Sequence, residues 1–315
     1  MLSEALKLRL SSLRRGPVQP TRPRASAGPR SAAPGTARLS SSLSECFPEG
    51  VVRQTAQGEL FACDVPLREI HSDAGRLVEA YAAAFGGVPE GGRNEHLPHH
   101  VELLQRAAPK RAALIDTETA GFHGRPLFLI GMVRYQRNDL VLSQYFARDY
   151  TQEAALLQQF ADLLPQVDLL ISFNGKAFDW PFIRDRMVYH RLRFQPSFAH
   201  LDLLHPSRRR WRAQLPNCQL KTLERHLCGR WRSGDIPSHE IPQRYHSYVR
   251  EQDARIIAPV FHHNRLDLIT MVELLVALAG PAAKPGPAAS RFPASGAPVG
   301  SAITTPPGAG GGSNV

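Results

Sequence analysis

Between residues 111 and 190 the chain switches three times between two periods of apolar spacing. RAALID, PLFLIGMVRY and LVLSQYFA, all between 111 and 147, are short apolar runs separated by polar or Gly-Pro breaks. Three such runs in succession with short connections predict an antiparallel meander. QEAALLQQFADLL then takes up the spacing of an amphipathic helix, and DLLISF, 168–173, returns to a continuous apolar run of strand length. A second helix is predicted from about Trp180 to His190, and VFHHNRLDLITMVELL, 260–275, again has helical spacing. A strand meander followed by strands alternating with helices predicts a layered α/β fold. Upstream, ELFACDVPL, 59–67, reads as a short strand and DAGRLVEAYAAAF, 73–85, as a helix.

Composition changes this picture at the two ends. The formal net charge is +10, yet residues 1–40 alone carry eight basic side chains against one acid, and the stretch from 281 onward adds Lys284 and Arg291. Basicity is therefore a property of the ends, and the middle is nearly neutral. From Gly16 to Thr36, and again from 281, the chain is rich in Pro, Gly, Ala and Ser without apolar periodicity. Such sequence buries too little to offset the entropy of ordering, so disordered extensions are expected at both ends. Leu2, Leu6, Leu10 and Leu13 sit near helical spacing, which predicts a short amphipathic helix at the start of the basic arm. A basic, Ser-rich, acid-poor start also fits a transit peptide, ranked below a flexible arm that attracts phosphates. The organisation expected is a basic arm over 1–45, a partly ordered extension over 46–105, a folded domain over 106–280 and a tail over 281–315. No apolar run approaches the roughly 18 residues of a membrane span, and a cytoplasmic location is expected. Cys46, Cys63, Cys218 and Cys228 lack CxxC spacing, which argues against a structural zinc site or a disulfide framework.

The candidate chemistry begins at LIDTET, 114–119, where a buried-strand pattern ends in two carboxylates. Residues two apart on a strand share a face, so Asp116 and Glu118 project together. Like charges held that close call for a proton or a cation, and hard oxygen donors suit Mg²⁺ or Mn²⁺. The same residues also fit solvated acids at a strand end, with Thr117 and Thr119 turned inward. In SFNGKAFDWPF, 172–182, Pro181 marks a first helical turn and puts Asp179 at its N-terminus, where an ordinary cap is the alternative. On the last predicted helix Asp267 follows His263 by four residues, on one face, while His262 is displaced around the axis.

DTET, NxxxFD and HN followed by Asp, in this order, resemble the motifs of the DEDD superfamily of 3′–5′ exonucleases with the ribonuclease H-like fold. HLDLLHPSRRRW, LPNCQLKTLERHLCG, GDIPSHEIPQRY and HHNRLD are more closely similar to the bacterial YprB-like ribonuclease H-like domain proteins. The resemblance covers roughly 110–276 and reaches back to about 50. It implies a mixed sheet flanked by helices and a metal site of Asp116, Glu118, Asp179 and Asp267 that holds two divalent ions, Mg²⁺ or Mn²⁺. The base of the superfamily is a His or a Tyr at two different spacings from the last Asp. His262 matches the first spacing and His263 the second, and the HN pair with helix geometry favours His263 over His262. The family-like pattern has Gly where Ser238 stands, which questions the conformation of that turn.

The activity implied is two-metal hydrolysis of phosphodiesters, as a 3′–5′ exonuclease on single-stranded DNA or RNA. The competing class is a nucleic-acid-binding scaffold that keeps the fold without turnover. Residues 205–232 interleave eight basic side chains with Trp211 and Trp231. Arginines suit phosphates and indoles suit unpaired bases, so Arg208, Arg209 and Trp211 are expected substrate contacts, with Asn174 and Lys176 beside the metal site. Leu220, Leu223 and Leu227 are expected to pack inward, and Asp202 to end a strand.

Overall fold

The computed structural model describes residues 41–86, 98–121 and 124–280. The predicted helix and disorder of the basic arm up to 40, and the predicted disordered tail from 281, lie outside the described residues. The end of the arm is ordered: Leu43–Cys46 forms one helical turn closed by a Ser42–Glu45 capping box.

Among the described residues one seven-stranded sheet organises the fold, in the order β1 (Gly50–Thr55), β2 (Gly58–Pro66), β5 (Asp139–Phe146), β4 (Leu127–Gln136), β3 (Ala112–Thr119), β6 (Leu169–Ser172) and β7 (Ala199–Asp202). β3 (Ala112–Thr119), β4 (Leu127–Gln136) and β5 (Asp139–Phe146) make the predicted antiparallel meander. Arg137 and Asn138, both at positive φ, form the two-residue turn between β4 and β5 that suits the twist of paired strands. β6 (Leu169–Ser172) and β7 (Ala199–Asp202) add in parallel to the other side of β3. The predicted strand at 59–67 is β2 (Gly58–Pro66), which with β1 (Gly50–Thr55) extends the sheet past β5. Part of the stretch upstream of 106 is thus continuous with the main sheet.

Alternation along the strands separates two cores. Ala113 and Ile115 belong to one, which also holds buried residues of α3 (Glu153–Leu163), α4 (Asp179–Tyr189) and α6 (Ile241–Glu251). Ala112 and Leu114 belong to the other, with α1 (Ala74–Gly86), α2 (His99–Arg106) and α5 (Leu204–Trp211). The long helix α7 (Ala254–Ala279) joins both. Ile257, Val260 and Phe261 pack into the first core, and Leu268 through Leu278 into the second. Residues 262–267 of α7 therefore fall at the junction of the two cores, opposite the polar half of β3.

Candidate active site

On β3 the burial changes after Ile115. Residues 112–115 are buried, and Asp116, Thr117, Glu118 and Thr119 are half-buried. Asp116 shares its face with Ala112 and Leu114 and meets α7, where Asn264 Nδ2 donates to Asp116 Oδ2 at 2.9 Å. The helix can approach because its neighbour on the sheet is Gly131, paired in register with Asp116. A Cβ at Gly131 would stand 2.2 Å from Asn264 Oδ1. Gln144, on the next strand, donates to that same Asn264 oxygen at 3.0 Å and to the Phe261 carbonyl at 2.8 Å. Glycine, glutamine and asparagine together fix where the first acid sits.

Asp179 arrives from the other core. After β6 the chain turns at Asn174, which is left-handed at φ 64°, and α4 begins with Asp179 itself. Thr117 Oγ1 donates to Asp179 Oδ1. Gly175 is required here as well, since a Cβ would lie 2.8 Å from Asp179 Oδ2. Asp202 ends β7 as expected and is buried, with Oδ1 accepting from the Asn174 amide at 2.7 Å and Oδ2 from the Lys176 amide at 3.2 Å. This carboxylate holds the loop that delivers Asp179. The Lys176 side chain is exposed on that loop, and Phe178, beside Asp179, is 66% exposed.

The fourth acid lies on α7. Asp267 Oδ1 accepts from Arg232 Nη2 at 2.6 Å, and Asp267 Oδ2 is 3.4 Å from His263 Nε2. His263 is only 2% exposed, and its Nδ1 is 2.8 Å from Asp235 Oδ1. Lys221 Nζ reaches the other oxygen of Asp235 at 3.0 Å. Burial works against the Asp235 charge but is outweighed by the hydrogen bonds from His263 and Lys221, which hold its carboxyl well below the usual range. His262, by contrast, is turned to the surface.

The electrostatics tie the four acids together. Burial, then the charges of Asp267, Glu118 and Asp179, push the Asp116 carboxyl well up, against the hydrogen bond from Asn264. Burial, then Asp267, Asp179 and Asp235, do the same to Glu118, against Lys221. Asp179 is raised to about 6, by burial first and with Asp202 adding to it. Among the described residues no three His, Cys, Asp or Glu side chains are close enough together to hold an ion as they stand. The reason is visible in their partners: Asn264, Thr117 and Arg232 each draw one carboxylate towards a different wall. The donor set still fits a divalent cation in its chemistry, being all hard oxygen and mutually repelling.

A family model described as the RNase H superfamily matches residues 113–279. This chain belongs to that superfamily. The strands β5-β4-β3-β6-β7 and their flanking helices carry its nuclease-like fold. Over 168 residues the chain is 34% identical to the "Uncharacterized protein YprB" of Bacillus subtilis (strain 168), covering 51% of this chain and 40% of that relative. The chain thus spans well under half the length of the curated relative it matches. A family B DNA polymerase from the hyperthermophilic archaeon Pyrobaculum calidifontis overlays 56% of this chain and 27% of its own at 15% identity, with a TM-score of 0.43. Overlap at that level carries no argument about function. Among the described residues no helix is long and apolar enough to cross a membrane.

For other predicted residues the superfamily fold has different uses. Trp211 is 2% exposed and packs in the second core, so it offers no face to a base. Its helical spacing with Leu204 was the signal for burial. Arg208 and Arg209 are exposed on α5, but Arg209 lines a cavity against Leu278 and Gly280 at the far end of α7. Its neighbour Arg210 donates to the Ala277 carbonyl at 2.7 Å, ten residues beyond Asp267. Ten residues of helix are about 15 Å, which removes this end of α5 from the acids. Ser238 opens a 3₁₀ turn and is absent from the positive-φ residues, so that turn does not need glycine. Asp235, Asn264 and Gly131 carried no expected site role, although the GD of GDIP and the HN pair mark two of them; Arg232, expected with the basic group at phosphates, is instead paired with Glu224, Asp235 and Asp267.

Proposed function

We propose that this protein is a divalent-metal-dependent nuclease, acting as a 3′–5′ exonuclease on single-stranded DNA or RNA. What supports the reading is that carboxylates from β3, α4 and α7 act on one another strongly enough to raise Asp116 and Glu118, and that, among the described residues, only Asp267 of the four is paired with a cation, Arg232. Asp116, Glu118, Asp179 and Asp267 would hold Mg²⁺ or Mn²⁺, as a pair. When bound, the ions supply charge stabilisation for an in-line phosphodiester displacement and lower the pKa of a bound water. Asn264 and Thr117 orient Asp116 and Asp179. His263 donates Nδ1–H to Asp235, which leaves the Nε2 lone pair on the side of Asp267, where it accepts a proton from water. That geometry supports His263 over the surface-facing His262 as base. Asn174, Lys176 and exposed Phe178 supply the rim on which an unpaired strand rests. We place the nuclease unit at 106–280, with 46–105 completing the edge of its sheet.

A second reading draws on one contact. Arg232 meets Asp267 as a cation would, which favours a nucleic-acid-binding scaffold without turnover. Purified protein incubated with end-labelled DNA and RNA oligonucleotides, with Mg²⁺, Mn²⁺ or chelator, separates the two. A ladder shortening from the 3′ end, abolished by chelator, is the expected result. Binding without products supports the scaffold, and internal cuts reject the exonuclease reading.

A further inference from the structure

A cavity of about 430 Å³ opens beside the acid cluster, walled by Lys221, Arg225, Arg230, Trp231 and Arg232. Its shape comes from an irregular piece of backbone. The helical turn Leu220–Leu223 runs into a π-helical turn, Glu224–Cys228, which stops at Gly229 in the left-handed region at φ 66°. π turns interrupt regular helices at an energetic cost and are frequent where side chains must be re-aimed. Here the turn sets the Arg225 guanidinium carbon 3.4 Å from the centre of the Trp231 ring.

Trp231 is 62% exposed, whereas Trp211 is in the second core and Trp180 packs against the first. An indole backed by a guanidinium on one face and open to solvent elsewhere is a ready stacking surface. The cations around it differ in their engagement. Arg230 pairs with Glu224 and Glu273, and Arg232 with Glu224, Asp235 and Asp267. Arg225 is exposed and has no carboxylate partner among the described residues. The wall is also continuous with the acids, since Arg232 follows Trp231 in the chain and touches Asp267, and Lys221 touches the Asp235 that holds His263.

We propose that this cavity is a nucleotide subsite for single-stranded nucleic acid, in which an unpaired base stacks on Trp231 and an adjoining phosphate meets Arg225. Its place on the strand, next to the cleaved linkage, rests on the nuclease reading. The binding itself does not. Stacking tolerates any base and requires an unpaired one, so the subsite selects strand state and not sequence.

The test uses the full-length protein in chelator and a labelled single-stranded oligonucleotide of about 12 nucleotides, within the span such sites occupy. Fluorescence anisotropy reads affinity, and intrinsic tryptophan emission reads stacking. Trp231→Ala is expected to weaken binding about tenfold or more, and Trp231→Phe to keep it within about threefold, by the stacking range for one base. Oligonucleotide should quench the emission of the wild type, and Trp231→Phe should bind while losing that quench. Wild-type affinity in Trp231→Ala, or no oligonucleotide binding by the wild type, overturns the subsite. Separately, wild-type hydrolysis of bis(p-nitrophenyl) phosphate with Mn²⁺ tests the nuclease reading alone. Failure there, with Trp231-dependent binding intact, would reject the nuclease and leave the subsite standing.

Discussion

Two groups of buried charge meet around α7, and they are built on opposite rules. In one, signs alternate: Glu224 accepts from Arg230, Arg232 and Thr270, and Arg230 also reaches Glu273. In the other, Asp116, Glu118 and Asp179 face acids of the same sign, with neutral donors, Asn264 and Thr117, on Asp116 and Asp179 and only the Lys221 charge set against Glu118. Both lie where the effective dielectric is low, so both attraction and repulsion are amplified. Even the alternating group is not free of cost, because burial raises the Glu224 carboxyl despite its two arginines. Burial opposes the Arg232 charge as well, and the carboxylates of Asp267 and Glu224 outweigh it. On the proposed function, the contrast separates charges that serve the fold from charges that would meet a metal. Arg232 belongs to both groups and marks their boundary.

The sharpest way to break the comparison is to remove one acid. Asp116→Ala is expected to lower metal-dependent cleavage by about 10²–10³-fold or more, the loss typical of one preorganised electrostatic group. Undiminished cleavage of labelled oligonucleotides by that variant would reject the site. Removing a carboxylate from the alternating group should act on the fold: Glu224→Ala takes a partner from the half-buried Arg230 and the nearly buried Arg232 and costs about 3–5 kcal/mol in urea unfolding. A loss no larger than that of a surface substitution would show that this network is not structural.

Gly131→Ala sharpens the distinction between holding and reacting. Its Cβ displaces Asn264, so stability falls by about 1–3 kcal/mol, and cleavage falls by about 10–100-fold, as when an orienting partner of a ligand is lost. An unchanged melting temperature would mean that α7 yields more easily than this contact implies.

A smaller effect tests the repulsion itself. In chelator, the folded Asp179 carboxyl lies at about 6, above its ordinary 3.8. The folded state then holds protons that the unfolded chain has released, so this stabilisation is full below the ordinary value and is lost as pH rises through about 6. Melting temperatures of the chelated wild type should therefore decline relative to Asp179→Asn across that window. Parallel pH profiles would remove the claim. The smallest effect is expected at the far end of α5, where Arg209→Ala should change stability by less than about 0.5 kcal/mol. A large drop in oligonucleotide cleavage on that change would return Arg209 to the substrate path.

The strand meander, the helices over 153–163 and 179–189 and the end of β7 at Asp202 were legible because each has a period that only one kind of element satisfies. The candidate acids were legible only as types and spacings, and their placement follows them: a pair on one strand face, one at a helix start, one four residues after a histidine. What defeated the reading was the arginine-rich stretch 205–232. Arg208 and Arg225 look alike in sequence, and a guanidinium gives no local sign of whether it caps a helix, neutralises a buried carboxylate or faces solvent. Trp211 and Trp231 were equally alike, and burial alone separates them.

Local pattern thus settled which elements form and which carboxylates are candidates, because periodicity and side-chain chemistry are properties of short segments. Tertiary structure decided that α7 passes from one core to the other beside Asp116, that Gly131 admits Asn264, and that Asp235 backs His263. Those are distances between residues far apart in the chain, set by packing that no segment encodes alone.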